Sequence, residues 1–192
     1  MYASTPGKLL RSRYQVLSPL GKGGFGQTFI AADLDLPDHP RCVVKQLKPA
    51  SSDRYFLDNA RRLFQSEAQS LLRLGTHDQI PRLLAYFEED QEFYLVQELI
   101  EGRPLSEELP PGKRWSELEV CELLYEVLNI LHFIHTQGVI HRDLKPDNLI
   151  RRNCDRQPVL VDFGTVKEIR TPGFSRYSRA SSVATIAVGT PG

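Results

Sequence analysis

Cysteine is scarce in this sequence. The 192 residues include three cysteines, Cys42, Cys121 and Cys154, which lie far apart and show no Cys-x-x-Cys spacing. An odd number of widely separated cysteines does not favour a disulfide framework, and the missing pair spacing gives no indication of a zinc site. We therefore expect a protein of a reducing compartment, the cytoplasm.

Net charge and long apolar runs are also lacking. The 24 basic side chains balance 24 acidic ones, so the chain as a whole carries no charge that would attract nucleic acid or an anionic membrane. No stretch reaches the roughly 18 consecutive apolar residues of a membrane span, and residues 1–13 have no apolar run behind a basic start. We expect neither a nucleic-acid partner nor a membrane span.

The first half of the chain alternates extended runs with one helical pattern. Hydrophobic residues make up 41% of the sequence and charged residues 25%, which is ordinary for a folded domain. The glycine-rich residues 21–26 lie between two extended runs, whereas a dinucleotide-binding turn lies between a strand and a helix. Residues 52–74 space their apolar side chains by three and four, which predicts an amphipathic helix with Glu67 on its apolar face.

The second half is predicted to begin with a linker at residues 101–104, where Gly and Pro interrupt regular structure. Residues 116–137 follow as a helix, which starts with a Ser-x-x-Glu capping box and ends before a glycine. Its regular apolar positions predict deep burial. A short strand at residues 159–161 leads to Asp162, and a Ser-, Thr- and Arg-rich loop is predicted beyond it. These elements indicate an α+β fold.

Two short motifs carry the clearest chemistry. Residues 141–148 read His-Arg-Asp-Leu-Lys-Pro-Asp-Asn, and residues 162–164 read Asp-Phe-Gly. Phosphoryl transfer requires one carboxylate to orient an acceptor hydroxyl, and a second carboxylate with an amide to hold Mg²⁺ on the nucleotide phosphates. Asp143, Asp162 and Asn148 have the side chains for these three roles.

Three other features are ambiguous when each is taken alone. A Gly-x-Gly-x-x-Gly run is often an ordinary turn, although its backbone N–H groups can also close over phosphates. Lys45, in a predicted strand, would usually be a solvated surface amine, and Glu67 would usually be a surface charge. In combination, a strand lysine after a glycine loop and a glutamate on an apolar helix face suggest phosphate binding by an ion-paired lysine.

Taken in order, these motifs resemble those of protein kinases, specifically the eukaryotic-like Ser/Thr type that also occurs in bacteria. The resemblance covers residue 14 to the end of the chain and implies a bilobal kinase fold. Residues 14–100 would form a small N-lobe with an antiparallel sheet and one helix, after an N-terminal extension at residues 1–13. Residues 101–192 would form the first part of a mainly helical C-lobe.

The resemblance also implies cofactors and roles for single residues. ATP and Mg²⁺ would be the cofactors, with Mg²⁺ bound by Asn148 and Asp162. The catalytic residues implied are Asp143, Lys145, Lys45 and Glu67. Lys145 is the residue type of Ser/Thr-directed members, in which it neutralises the γ-phosphate. The ATP-binding residues implied are Gly21, Lys22, Gly23, Gly24, Phe25, Gly26, Lys45, Glu98, Ile100 and Ile150. Of these, Glu98 and Ile100 would lie in the hinge whose backbone meets adenine, and Ile150 would lie below the base.

Regulation by phosphorylation is a further implication of the resemblance. An Arg directly before the catalytic Asp, here Arg142, commonly pairs with a phosphate on the activation loop of these proteins. We expect a phosphate in this loop to order it through that pairing. The candidate acceptors are Ser175, Ser178, Ser181, Ser182 and Thr185.

The sequence ends at Gly192, within the segment that in this family links the activation loop to the rest of the C-lobe. We expect the predicted helix at residues 116–137 to lack part of its cover. Two functions remain open. The chain is either part of a kinase domain that transfers the γ-phosphoryl group of ATP to Ser/Thr hydroxyls of a protein substrate, or a truncated ATP-binding or partner-binding remnant with little or no catalysis.

Overall fold

The largest sheet has six antiparallel strands in the order β1-β2-β3-β4-β6-β5. It is seen in a computed structural model that describes residues 6–23, 26–47, 54–108, 112, 114–164 and 167–168. The strands are β1 (Leu9–Leu10), β2 (Tyr14–Gly23), β3 (Gly26–Asp33), β4 (Arg41–Leu47), β5 (Leu83–Glu89) and β6 (Glu92–Glu98). The antiparallel sheet predicted for the first half of the chain is confirmed.

Helix α1 (Arg54–Leu74) packs against this sheet. Its apolar positions Phe64, Ala68 and Leu71 are buried, and the Phe64 ring lies 5.4 Å from the ring of Phe93 on β6. The predicted spacing of three and four therefore describes the packed face correctly. This face also carries Glu67 toward the sheet, which matters for the site described below.

Within the described residues, the second half contains two small sheets and two helices. One sheet has the strand order β10-β9-β7, and the other pairs β11 with β8. The elements are β7 (Gly102–Pro104), α2 (Leu105–Glu108), α3 (Glu117–Thr136), β8 (Val139–Ile140), the 3₁₀ turn Pro146–Asn148, β9 (Leu149–Arg152), β10 (Pro158–Leu160) and β11 (Lys167–Glu168). Most of the linker predicted at residues 101–104 forms strand β7, which pairs with β9, and its role as a linker stays a prediction.

Helix α3 begins with the predicted capping box, in which the Ser116 hydroxyl accepts from the backbone N–H of Glu119. Its predicted deep burial was wrong for part of the helix. Val127 and Ile134 are buried, whereas Leu124 is 53% exposed and Val120 is 39% exposed. The reason is that, within the described residues, the elements that pack on α3 cover only one of its sides. The expected lack of cover is therefore seen.

Within the N-terminal extension predicted at residues 1–13, Leu9 and Leu10 belong to the sheet, although no strand was predicted there. Strand β1 pairs with β2, and Leu10 is fully buried. The guanidinium of Arg11 lies 5.3 Å from the centre of the Phe87 ring, and that of Arg13 lies 4.9 Å from the Tyr14 ring. Cations over aromatic faces and the buried leucine attach this segment to the outer face of the sheet.

The loop after α1 contacts the second half of the chain. The Gln79 side chain donates to the carbonyl of Pro158 at 2.9 Å, and its backbone carbonyl accepts from Leu160 at 3.0 Å. The His77 ring lies 4.6 Å from the Phe133 ring of α3. These contacts hold β10, and hence the residues that follow it, against the end of α1. Within the described part of the chain, no helix combines the length and apolar character that a membrane crossing requires.

A buried ion pair fixes the start of β2 to the end of β3. Arg13 donates two hydrogen bonds of 2.7 Å to the carboxylate of Asp33, which is only 2% exposed. The paired guanidinium lowers the pKa of Asp33 below its ordinary value of 3.8, despite burial, which acts in the opposite direction. A carboxylate whose pKa is depressed by folding stabilises the protein above its unfolded pKa and loses this contribution as the pH falls.

We expect Arg13→Met to lower the free energy of unfolding by about 2 kcal/mol at neutral pH, because it leaves the buried Asp33 without its partner. Partial exposure of Arg13 keeps the loss below that of a fully buried pair. Urea unfolding measures the change, and Arg61→Met, which breaks a solvent-exposed pair with Glu88, serves as the control. Equal losses in the two variants would show that burial of Asp33 is unimportant.

Candidate active site

Lys45 is the centre of the first group of charged side chains. It lies on β4, opposite Thr28 of β3 and Leu95 of β6. Its ammonium Nζ is 2.8 Å from Oε1 of Glu67 on α1 and 2.7 Å from Oδ1 of Asp162. The predicted lysine–glutamate pair is therefore formed, and the structure adds Asp162 as a second carboxylate on the same ammonium.

Both partners of the Lys45–Asp162 pair are charged near neutral pH. Burial lowers the pKa of Lys45, but the carboxylates of Glu67 and Asp162 outweigh it, so the pKa is raised above its ordinary 10.5. For Asp162, burial raises the pKa, but the Lys45 ammonium outweighs it, and the pKa is lowered below 3.8. The ammonium is thus a permanent cation that faces two acidic groups.

Asp143 is the centre of the second group. Lys145 donates to its Oδ2 at 2.9 Å, and this hydrogen bond raises the pKa of Lys145. Nδ2 of Asn148 donates to the backbone carbonyl of Asp143 at 2.8 Å and to its Oδ2 at 3.0 Å. The turn Pro146–Asn148 brings the predicted catalytic and metal-binding residues of this run into direct contact.

The segment that carries Asp162 joins the two groups. The backbone N–H of Val161 donates to the carbonyl of Asn148 at 2.9 Å, and Nε2 of His141 lies 3.1 Å from the carbonyl of Val161. Asp162 and Arg142 both have a left-handed backbone, with φ of +66° and +67°. Such conformations cost energy for residues other than glycine and occur often at functional sites. Asp143, Asn148 and Asp162 are therefore held by one hydrogen-bonded backbone unit.

Phe163 is a site residue whose packing role the sequence analysis did not identify. It is 1% exposed, and its ring meets the buried ring of His141 edge-on at 4.9 Å. Burial lowers the pKa of His141 below 6.5. An aromatic residue between an aspartate and a glycine was the available signal, since a large apolar side chain at such a place needs a buried pocket.

Several of the remaining predicted ATP-binding residues lie on the surrounding strands. Gly21, Lys22, Gly23 and Gly26 lie at the β2–β3 hairpin, and Gly24 and Phe25 lie outside the described residues. At Gly26 a side chain is excluded, because its Cβ would lie 1.9 Å from the carbonyl oxygen of Gln46. At Gly26 the hairpin backbone therefore lies closer to β4 than it could with any amino acid other than glycine at this position.

The predicted adenine-binding residues lie where the two halves of the chain meet. Glu98 ends β6, with its carboxylate directed to Arg82 at 3.2 Å, and Ile100 follows it and is buried. Ile150 lies on β9, opposite Pro104 of β7. The structure thus places these residues on both sides of the connection between the halves, and their contact with adenine stays a prediction.

The predicted phosphorylation sites cannot be placed. All five lie outside the described residues: Ser175, Ser178, Ser181, Ser182 and Thr185. Arg142, their predicted partner, is exposed beside Asp143.

The oxygen donors of Asn148 and Asp162 fit a magnesium ion. Because Nδ2 of Asn148 is directed to Asp143, its carbonyl oxygen remains as the atom that can bind a cation. Among the described residues, no group of three or more His, Cys, Asp or Glu side chains is arranged to hold a metal ion. Mg²⁺ suits such a site, since it commonly binds one or two carboxylates and completes its coordination with water and substrate phosphates.

Comparison with known proteins agrees with this geometry. A family model described as the protein kinase domain matches residues 14–191. Serine/threonine-protein kinases B and C of Synechocystis sp. are 51% and 45% identical to the chain, over 95% and 98% of its length. Serine/threonine-protein kinase PknA of Nostoc sp. is 43% identical over 96%. The chain covers 32%, 35% and 33% of these three relatives, or about a third of their length.

Proposed function

Because this chain belongs to the protein kinase domain family, we propose that it transfers the γ-phosphoryl group of ATP to serine or threonine hydroxyls of a protein substrate. The observation that carries the proposal is the position of the Lys45 ammonium between Glu67 and Asp162. In this family, the ion pair between the strand lysine and the helix glutamate must be in place for catalysis.

In the proposed reaction, the residues of the first half bind the nucleotide. The backbone of the β2–β3 hairpin covers the phosphates, and Lys45 holds the α- and β-phosphates while Glu67 fixes its ammonium. Asn148 and Asp162 would hold Mg²⁺, which when bound neutralises phosphate charge. Glu98, Ile100 and Ile150 would line the adenine site between the two halves of the chain.

Asp143 and Lys145 would act on the acceptor. The Asp143 carboxylate accepts the proton of the substrate hydroxyl while the oxygen of that hydroxyl bonds to the γ-phosphorus. The bond from the γ-phosphorus to the β–γ bridging oxygen breaks, and ADP leaves with that oxygen. Lys145, which contacts Asp143 at 2.9 Å, supplies positive charge next to the transferred group. The names of the related kinases support Ser/Thr rather than Tyr as the acceptor.

Three further assignments belong to this proposal. Residues 14–100 form the N-lobe, with β1 as an added strand, and residues 101–192 form part of the C-lobe. Phosphorylation within residues 175–185 orders the activation loop through Arg142. The protein acts in the cytoplasm, which the three free cysteines support.

A second function is a partner-binding or ATP-binding protein with little or no catalysis. The exposed side of α3 favours it, because Leu124, Tyr125 and Leu128 are each more than half exposed. Large apolar side chains grouped on one surface usually mark an interaction site or a face that another segment covers.

Two assays on the same purified chain distinguish these functions. We expect saturating Mg-ATP, at a hundredfold excess over Kd, to stabilise the folded protein by about 2.7 kcal/mol. We also expect label to move from γ-labelled ATP to a Ser/Thr-containing protein such as casein, or to the chain itself. A thermal shift without transfer would select the non-catalytic function. Absence of both would contradict the kinase and the ATP-binding functions and would leave partner binding alone.

A further inference from the structure

The Lys45 ammonium occupies a carboxylate that the proposed function assigns to a metal ion. It contacts Oδ1 of Asp162 at 2.7 Å while it also contacts Glu67 at 2.8 Å. The Asp162 side chain is 47% exposed, whereas those of Lys45 and Glu67 are 21% and 14% exposed. Asp162 is therefore the partner that solvent and ions can reach, and Glu67 contacts the ammonium on its more buried side.

We propose that Lys45 acts as a gate for divalent cations, excluding them from Asp162 until a nucleotide is bound. A cation that arrives alone must share the carboxylate with an ammonium of the same sign, which weakens its binding. The second potential ligand, Asn148, is an uncharged amide and does not compensate for this repulsion. The protein without nucleotide should consequently bind divalent cations weakly.

Nucleotide phosphates would open the gate. This step rests on the proposed function, in which Lys45 contacts the α- and β-phosphates. The phosphates offer the ammonium a new set of anionic oxygens, so that Asp162 is released for the metal ion. Because linkage is reciprocal, a metal ion on Asp162 also favours the state in which Lys45 is directed to phosphate. Glu67 keeps the Lys45 ammonium close to both Asp162 and the nucleotide phosphates.

A titration with Mn²⁺ in the absence of nucleotide tests the gate, with free Mn²⁺ followed by electron paramagnetic resonance. We expect Lys45→Met to bind Mn²⁺ about tenfold more tightly than the wild type, since coupling between sites is typically of this size. Adding Asp162→Asn to Lys45→Met should abolish the gain. An unchanged or weaker affinity in folded Lys45→Met would overturn the proposal.

Arg61→Met is the matched control for the loss of one positive charge. Arg61 lies on the same helix as Glu67 and, like Lys45, contacts two carboxylates, those of Asp58 and Glu88 at 3.2 and 3.0 Å. A general effect of net charge, or of two released carboxylates, would raise the Mn²⁺ affinity of this variant equally. We expect no gain, and an equal gain would overturn the assignment to Lys45.

Glu67→Gln provides a test that does not require Lys45→Met to fold. With Glu67 neutral, Asp162 is the remaining carboxylate on the ammonium. We therefore expect Lys45 to exclude divalent cations from Asp162 at least as strongly as in the wild type. We expect its Mn²⁺ affinity without nucleotide to be equal to or below that of the wild type. A clear gain would show that Lys45 does not exclude the cation.

The gate and the proposed function fail in different ways. Equal Mn²⁺ binding by the wild type and Lys45→Met, together with phosphoryl transfer by the wild type, would overturn the gate alone. If a non-hydrolysable ATP analogue produced no additional Mn²⁺ binding in the wild type, and no transfer were measured, the function on which the gate rests would be overturned.

Discussion

The variant Asp143→Asn is expected to lose phosphoryl transfer by about a thousandfold while it still binds ATP. The amide has the shape of the carboxylate and can still accept from Asn148 and Lys145 through its oxygen. It cannot accept the proton of the acceptor hydroxyl. Nucleotide contacts are assigned to other residues, so the thermal shift with Mg-ATP should equal that of the wild type.

Asp147→Asn is the matched control, because Asp147 is an exposed carboxylate in the same turn and carries no assigned role. Its rate of label transfer should remain within a few-fold of the wild type. Transfer is measured as initial rates at saturating ATP. If Asp143→Asn retained most of its activity, or if both variants lost it equally, Asp143 would not be the proton acceptor.

The parts of the fold that were predicted correctly depend on patterns within a few turns or strands. The glycine hairpin, the strand of Lys45 and the amphipathic helix α1 each contain enough residues to show their periodicity. Glu67 was placed on the apolar face of α1, and the pair with Lys45 followed from the family resemblance. The Lys45–Asp162 contact was missed, because it joins residues 117 positions apart that no local pattern connects.

The errors concern short strands and surfaces whose burial depends on other segments. Strands β1 and β7 have only two and three residues, so an alternating pattern cannot appear in them. On α3, an apolar position is buried only if another element packs on it, and Leu124 shows that this condition is not met everywhere. Periodicity therefore identifies an apolar face but does not establish what covers it.

Phe163→Ala should destabilise the protein more than any other single substitution considered. Phe163 is 1% exposed within the main apolar core and contacts the ring of His141. Truncation of a buried phenylalanine costs about 3–5 kcal/mol, a large part of a typical stability of 5–15 kcal/mol. Urea unfolding measures this loss. Leu144→Ala, at an apolar side chain that is 45% exposed in the neighbouring run, should cost much less.

The pKa of His141 provides a local measure of the effect of Phe163→Ala. Burial, which lowers its pKa in the wild type, decreases when the Phe163 ring is removed and water enters, so the pKa should rise toward 6.5. A histidine with a lowered pKa stabilises the protein above its unfolded pKa, and this contribution is lost as the pH falls. The wild type should therefore lose more stability than Phe163→Ala between pH 7 and pH 5. A His141 pKa that is unchanged by NMR titration would show that the ring does not keep this pocket dry.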